Sequence, residues 1–378
     1  MAIYFDNAAT SPLAPEVWDE MQPYFLIHFG NPSSIHSHGR AARSAVEKSR
    51  KTVASLLGCS PAEIFFTSGA TEADNMALVS AVYSLGVKHI ITSAIEHHAV
   101  LHTAEFLAKS NGVKLSFVNL SSKGEVDLQH LEELLQASTE PTLVSLMHGN
   151  NEIGNLLPII ETGNICRKYN AFFHSDTVQT MGHFPFKLAE MPVDFIVGSA
   201  HKFHGPKGVG FIYINPNNRI EPFIRGGSQE RNMRAGTENV AGIIGLAKAL
   251  SLCYQSLDEH QNHILSLKKL FIDQINTHIP KITFNGKSGD LNNSLAHVLS
   301  LNIPPSEDND MLLMNIDIRG LSTSGGSACT SGATETSHVI DVLDNQSVDS
   351  GVVRVSFSRY NTEDEVHQAI EILKDLIA

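Results

Sequence analysis

Between about residues 60 and 215, short apolar runs alternate with longer stretches of helical periodicity. The runs lie at 63–67, 88–95, 114–120, 142–148, 171–175, 194–199 and 208–214, and 71–85 and 100–110 are two of the periodic stretches between them. Such alternation predicts a mostly parallel sheet, because parallel neighbours need a long crossover and a helix covering one face supplies it. In a sheet of this kind ligands bind beyond the carboxyl ends of the strands, and the polar residues of this chain collect there. A long helical stretch is expected over 237–278, after a Gly/Arg-rich loop. Shorter strands follow at 296–302 and 352–357, then an amphipathic helix from Thr362. The fold class expected is α/β, a mostly parallel sheet with helices on both faces, joined to a smaller α+β domain. The boundaries expected are 15–258 for the large domain, and 1–14 with 259–378 for the small one.

Bulk properties narrow the function. The 378 residues carry a net charge of -13, from 40 acidic against 27 basic residues. No basic run or stripe is present, which argues against nucleic acid and anionic membranes as partners. No apolar stretch has the length of a membrane span, and the N-terminus MAIYFDNAATSPLAP lacks the basic and apolar regions of a signal peptide. Cys59, Cys166, Cys253 and Cys329 are far apart and form no Cys-x-x-Cys pair, which argues against a disulfide scaffold or a thiolate metal site. A reducing cytoplasm is the expected compartment, and no metal site is expected.

Six segments carry chemistry. In FIVGSAHKFHGPKG (195–208), Lys202 follows an apolar strand, where an amine can lose water, drop its pKa and form an imine. Taken alone, a lysine there is a surface residue capping a strand end, and it is the company of the other segments that overturns this reading. In FFTSGATEADN (65–75), a strand, a small-residue turn and a helix start offer free N–H groups and the Ser68 and Thr71 hydroxyls to a phosphate, or simply an ordinary N-cap. FFHSDTVQT (172–180) places Asp176 to hold a ring nitrogen protonated and Gln179 to donate to a phenolate. HGNNEIG (148–154) ends a strand with two amides. EHHAV (96–100) ends another with His97, which either lies on an aromatic ring or serves structure alone. Together these meet the needs of pyridoxal phosphate: a lysine imine, an acidic partner for the ring nitrogen and a phosphate cradle. Finally, SGGSACTSG (324–332) puts Cys329 in a polar Gly/Ser/Thr loop, where a thiolate can be exposed and reactive. The other three cysteines lie in helical apolar patterns and read as core.

The segments DNAATSP (6–12), FGNPS (29–33), TSGATEADN, EHHAV, NNEIG, HSDTVQ, SAHKFHGPKG, QERNMRAGTEN (229–239), GSACTSG and VVRVSFSRYNTEDE closely resemble the cysteine desulfurases. These belong to the class V aminotransferase group of fold-type I pyridoxal phosphate enzymes. The resemblance runs from about residue 3 to the C-terminus, and the GSACTS loop points to the first of the two desulfurase groups. It implies that Lys202 carries the cofactor, Asp176 pairs with its ring nitrogen, Gln179 donates to its phenolate and His97 stacks on its ring. It further implies a phosphate site of Ala70, Thr71, Ser199 and His201, with Thr237 reaching the phosphate of a second subunit in a homodimer. Asn31, Asn151 and Arg354 are implied at the substrate, Arg354 as the clamp on its carboxylate. Cys329, on a loop of about 322–334, is implied as the nucleophile that becomes a persulfide and passes sulfur to an acceptor protein.

The chain departs from the family pattern at Arg225, where many relatives have His, at Ser228, which interrupts a glycine run, and at Gly325, which replaces a serine. These bear on loop motion and partner docking. A selenocysteine lyase or another class V aminotransferase is the nearest alternative, although a transaminase has no use for an exposed thiol. A zinc hydrolase built on His201 and His204 lacks the helical His-Glu pattern and a general base. A catalytically silent relay subunit would be free to lose Lys202 or Cys329.

Overall fold

The computed structural model describes residues 2–306, 309–325, 337–343 and 350–377. Its strands are β1 (Ile3–Tyr4), β2 (Ile64–Thr67), β3 (His89–Thr92), β4 (Lys114–Phe117), β5 (Thr142–Ser145), β6 (Phe172–Asp176), β7 (Phe195–Ser199), β8 (Gly210–Ile214), β9 (Thr283–Phe284), β10 (Val298–Ile303), β11 (Leu321–Ser322) and β12 (Gly351–Ser356). Each of the seven expected runs matches one of β2 to β8, with β6 running one residue further, to Asp176, and these form a single sheet in the order β2-β8-β7-β6-β5-β3-β4. All neighbours are parallel except β8, which is antiparallel to both β2 and β7. Two reversals cancel, so the carboxyl ends of β2, β3, β5, β6 and β7 share one edge.

Side chains alternate across this sheet with the two-residue period of a strand. Phe66, Ile91, Val144, Phe173, Ile196 and Phe211 enter one core cluster; Phe65, Ile90, Leu143, Phe195, Val197 and Ile212 enter another. Because both faces are buried, the strands read as continuous apolar runs. Helices Ala70–Tyr83 and His98–Asn111 cover the second face, through Met76, Ala77, Val100 and Leu107. Helices Ser37–Leu56, Leu128–Gln136, Ile159–Lys168 and Val240–Gln255 cover the first.

The expected helix over 237–278 begins instead at Val240, with Asn239 accepting the Gly242 N–H at 3.1 Å as its cap. It also breaks at Ser256 into Val240–Gln255 and Leu257–His278, bent by 77°. The bend falls where the chain changes cores. Ala241 to Cys253 pack on the large sheet, whereas Ile264, Leu267, Phe271 and Ile275 enter a separate cluster with the antiparallel sheet β12-β10-β9. Phe5 joins that second cluster, its ring edge-on to Phe271 and Phe357 at 6.2 and 5.2 Å. Helix Glu363–Ile377 closes it with Val366, Ala369, Ile370 and Leu373, an i, i+3, i+4, i+7 stripe. Its start is a capping box: Glu365 N–H donates to Thr362 Oγ1, and Thr362 N–H to the Glu365 carboxylate.

Cys166 and Cys253 are buried on helices, as expected. Cys59 is half-buried in the turn after helix Ser37–Leu56, not within a helix, because Gly58 takes φ +61° and ends it. Among the described residues no single helix is long and apolar enough to cross a membrane.

Candidate active site

The shared strand edge builds a cavity of about 520 Å³. β7 ends at Ser199, and a tight turn, Ala200–Lys202, follows. Since β8 runs back antiparallel, residues 200–209 fold over the edge. Lys202 Nζ donates to Ala8 O at 2.5 Å and to Ala9 O at 2.9 Å. The N-terminal segment holds this turn in place. Ser11 N–H and Oγ–H both donate to His201 O at 2.8 Å, and Ala14 N–H donates to His204 O at 3.0 Å.

β6 delivers Asp176, whose Oδ1 accepts the Val178 N–H at 2.8 Å. Burial pushes its carboxyl above the ordinary range, and His97, the Val178 N–H and Lys202 pull it back. A cationic N–H in the cavity is the partner this carboxylate suits. Gln179 donates Nε2–H to Ala8 O at 3.0 Å, so Ala8 O accepts from both Lys202 and Gln179. His97 caps helix His98–Asn111, its Nδ1 accepting the Ala99 N–H at 3.1 Å. His97 therefore has a structural role as the helix cap, and it also lines the cavity. Burial lowers its pKa, so the imidazole is neutral with its proton on Nε2.

Helix Ala70–Tyr83 opens onto the cavity with Gly69 as its N-cap and no side chain capping its first N–H groups. Those donors, with the Ser199 and His201 side chains, make a cradle for an anion. His201 Nδ1 contacts Thr10 Oγ1 at 3.1 Å, and burial lowers its pKa to about 4, leaving a neutral donor-acceptor. The Ser68 N–H is not free, because it donates to Glu72 at 2.9 Å. Glu72 would repel an anion but is neutralised by Arg234, which reaches both its oxygens at 2.8 and 3.0 Å. At the far wall Arg354, 1% exposed, donates from Nη1 to Asn151 O at 3.0 Å. Its Nη2 donates to Asp6 at 3.0 Å and Ser324 Oγ at 2.7 Å.

Ten of the expected site residues therefore line one cavity: Ala70, Thr71, His97, Asn151, Asp176, Gln179, Ser199, His201, Lys202 and Arg354. Two do not. Asn31 is exposed in the loop before helix Ser37–Leu56, and Thr237 is exposed ahead of Val240. Cys329 lies outside the described residues, with most of the 322–334 loop. Sequence reasoning missed Ala8, Ala9, Thr10, Glu96, Glu152, Lys207 and His338, which also line the cavity. The segments DNAATSP and EHHAV held four of them, but backbone carbonyls leave no side-chain signature.

The class-V aminotransferase family model matches residues 3–369. The chain belongs to this family. It is 40% identical over 384 residues to cysteine desulfurase IscS of Dictyoglomus turgidum, covering 99% of this chain and 94% of that protein. It is 38% identical to cysteine desulfurase IscS of Methanosarcina thermophila, covering 100% and 92%. A solved NifS-like protein superposes with a TM-score of 0.91 at 36% identity, over 100% of this chain and 99% of its own. The apo cysteine desulfurase of Thermococcus onnurineus superposes with a TM-score of 0.87 at 27% identity, over 100% and 94%.

The departures from the family pattern lie away from the cavity walls. Arg225 and Ser228 are exposed in the loop that leads to Thr237. That loop is anchored by Glu230, whose two oxygens accept from buried Arg50 at 2.7 and 2.8 Å. At Gly325 an added Cβ would lie 2.6 Å from Leu313 Cδ1, so the leucine tip fills the space of the family's serine.

Proposed function

We propose that this class-V aminotransferase family member is a cysteine desulfurase that uses pyridoxal phosphate to turn L-cysteine into L-alanine and a Cys329 persulfide. The observation that carries the reading is the meeting of Lys202, Asp176, His97, Gln179 and an uncapped helix start around one cavity. That donor set fits the cofactor: an amine for its carbonyl, a buried carboxylate for its ring nitrogen and free N–H groups for its phosphate. When bound, pyridoxal phosphate supplies the electron sink for charge developing on the substrate's α-carbon.

The residues divide the remaining work. Asp176 holds a proton on the ring nitrogen, Gln179 donates to the phenolate oxygen, and His97 stacks on the ring. Ala70, Thr71, Ser199 and His201 bind the phosphate, and Thr237 completes it from the partner subunit of a homodimer. Its exposure on the single chain suits that role. Arg354, Asn151 and Asn31 orient L-cysteine. Lys202 Nζ takes the substrate's α-proton and returns a proton to the product side. The Cys329 thiolate attacks the substrate sulfur; the S–S bond forms as the Cβ–S bond breaks, and the electron pair released is taken up as C–H in alanine. No external oxidant or reductant is needed. Sulfur then passes to an acceptor protein, for iron–sulfur cluster assembly or another thio-product, in the cytoplasm. We further propose that residues 15–258 form the cofactor-binding domain, and 1–14 with 259–378 the domain that carries the Cys329 loop.

The test is Lys202→Ala. Borohydride treatment of the native protein should fix the cofactor covalently, and the variant should hold none after the same treatment and form no alanine. Covalent trapping at an undiminished level in the variant removes Lys202 from the reaction.

A further inference from the structure

His297 precedes β10 and is 4% exposed, yet it reaches across to the cavity wall 118 residues earlier in the chain. Its Nε2 lies 3.1 Å from Gln179 Oε1. The partners fix which atom donates. Ala8 O can only accept, so the Gln179 nitrogen must face it, at 3.0 Å. The oxygen then faces His297, and His297 Nε2 must carry a hydrogen. Its Nδ1, buried and without a hydrogen-bond partner among the described residues, is left unprotonated.

The ring has little freedom to do otherwise. It stacks on His183 with centroids 4.2 Å apart and planes 14° apart, and Gln261 Nε2–H donates to His183 Nδ1 at 3.0 Å. Phe357 N–H ties the His297 carbonyl at 2.9 Å. Burial keeps the imidazole well below its ordinary pKa, helped by the positive charge of Lys268, Lys202 and Arg354 and by His183, so it stays neutral.

We propose that His297 is a positioning residue for Gln179: its Nε2–H occupies Gln179 Oε1, so that the amide presents only N–H to the cavity. One N–H is taken by Ala8 O, and the second is left for an acceptor inside. With the carbonyl oxygen sequestered, the amide cannot turn to face an anionic oxygen with a lone pair, a mistake that would repel the ligand. His297 belongs to the same part of the chain as β10 and the second core cluster, so Gln179 is aligned only when that part is seated against the large sheet. This inference rests on the reading that the cavity binds pyridoxal phosphate, whose phenolate oxygen is the acceptor.

The test titrates the visible band of the pyridoxal phosphate-loaded protein against pH. A donor to an anionic oxygen favours the deprotonated form, so losing it raises the midpoint. His297→Phe keeps a planar ring on His183 but has no donor, and should raise the midpoint by about half a unit or more. His297→Gln places an N–H at similar reach and should leave the midpoint near the parent's. His297→Phe added to Gln179→Leu should bring no further shift. A folded His297→Phe protein with the parent's midpoint overturns the assignment while the cofactor reading stands. A parent protein that develops no band overturns the cofactor reading, and this inference with it. Should the phenylalanine variant not fold, nitrogen-15 spectra of the histidine-labelled native protein decide: a proton on Nε2 of His297 supports the assignment, and a proton on Nδ1 overturns it.

Discussion

Arg354 Nη2 donates to Ser324 Oγ at 2.7 Å, so a side chain of the protein already holds one edge of the guanidinium proposed to clamp the substrate carboxylate. A guanidinium has five donors. Among the described residues, Asn151 O, Asp6 and Ser324 occupy three of them. The other two, Nε–H and one Nη1–H, do not lie side by side, so the contacts among the described residues leave no fork for a two-bond grip on a carboxylate. Nε is buried without a hydrogen-bond partner among the described residues. Under the role proposed for Arg354, the substrate carboxylate displaces Ser324 or Asp6 from Nη2.

Ser324→Ala removes that competitor and should lower the KM for L-cysteine roughly fivefold, taking about 1 kcal/mol for the bond given up. Steady-state kinetics on the variant checks this. An unchanged or higher KM means that Ser324 does not compete. Arg354→Lys, which keeps the charge but loses the planar fork, should raise KM by about tenfold or more.

A second expectation concerns the buried ion pair of Arg50 and Glu230. Arg50 is 2% exposed, its guanidinium lies 4.7 Å from the centre of the Phe66 ring, and Glu230 also accepts the Phe66 N–H at 2.8 Å. The pair pins a strained loop, in which Glu230, Arg231 and Asn232 all have positive φ. Arg50→Met leaves an uncompensated buried carboxylate and should cost about 3–5 kcal/mol in urea unfolding. Adding Glu230→Leu removes the orphaned charge and should recover a large part. A single variant as stable as the parent would show that water reaches Glu230.

How far the sequence speaks follows from the same residues. Lys202, Asp176 and His97 were legible because each sits one to three residues beyond an apolar run, and parallel strands bring such positions to one edge. The break at Ser256 was not legible. No Gly or Pro marks it; it follows from the two halves burying their faces in different cores. Nor was the partner of Gln179, since His297 lies 118 residues away and only tertiary packing joins them. The carbonyls of Ala8 and Ala9, which hold Lys202, belong to a motif that drew notice only through its family resemblance.

The pH dependence of stability offers another check. Burial pushes the Glu96 carboxyl from 4.5 up to about 8, outweighing the Met147 N–H and Ser93 hydroxyl that donate to it. A group whose folded pKa is raised contributes stability that is fully present below its unfolded pKa and lost as pH rises through the folded one. The folded chain thus weakens between about pH 5 and 8 on account of Glu96. Glu96→Gln should flatten that decline, raising Tm at the alkaline end by several degrees relative to the parent while changing it little near pH 5. Parallel Tm curves for the two proteins would place the titration elsewhere.

The last expectation separates cofactor chemistry from sulfur transfer. Cys329 follows Ser324, Arg354's partner at the cavity wall, by five residues. Among the described residues, those around Lys202, Asp176 and the helix start at Ala70 come from other segments of the chain. Cys329→Ser should therefore retain the cofactor's visible band and still respond spectrally to L-cysteine. A serine hydroxyl is a far weaker nucleophile toward sulfur than a thiolate, so the persulfide cannot form and alanine production should collapse. The other cysteines are poor substitutes: burial raises Cys59 to about 12 and Cys253 to about 11, and pushes Cys166 higher still. Replacing each by serine should cost packing stability alone. Mass spectrometry of the native protein after brief exposure to L-cysteine should find one added sulfur on the peptide carrying Cys329. An unmodified Cys329 alongside full sulfide release would sink this assignment and recast the protein as a lyase that expels sulfide without a protein nucleophile.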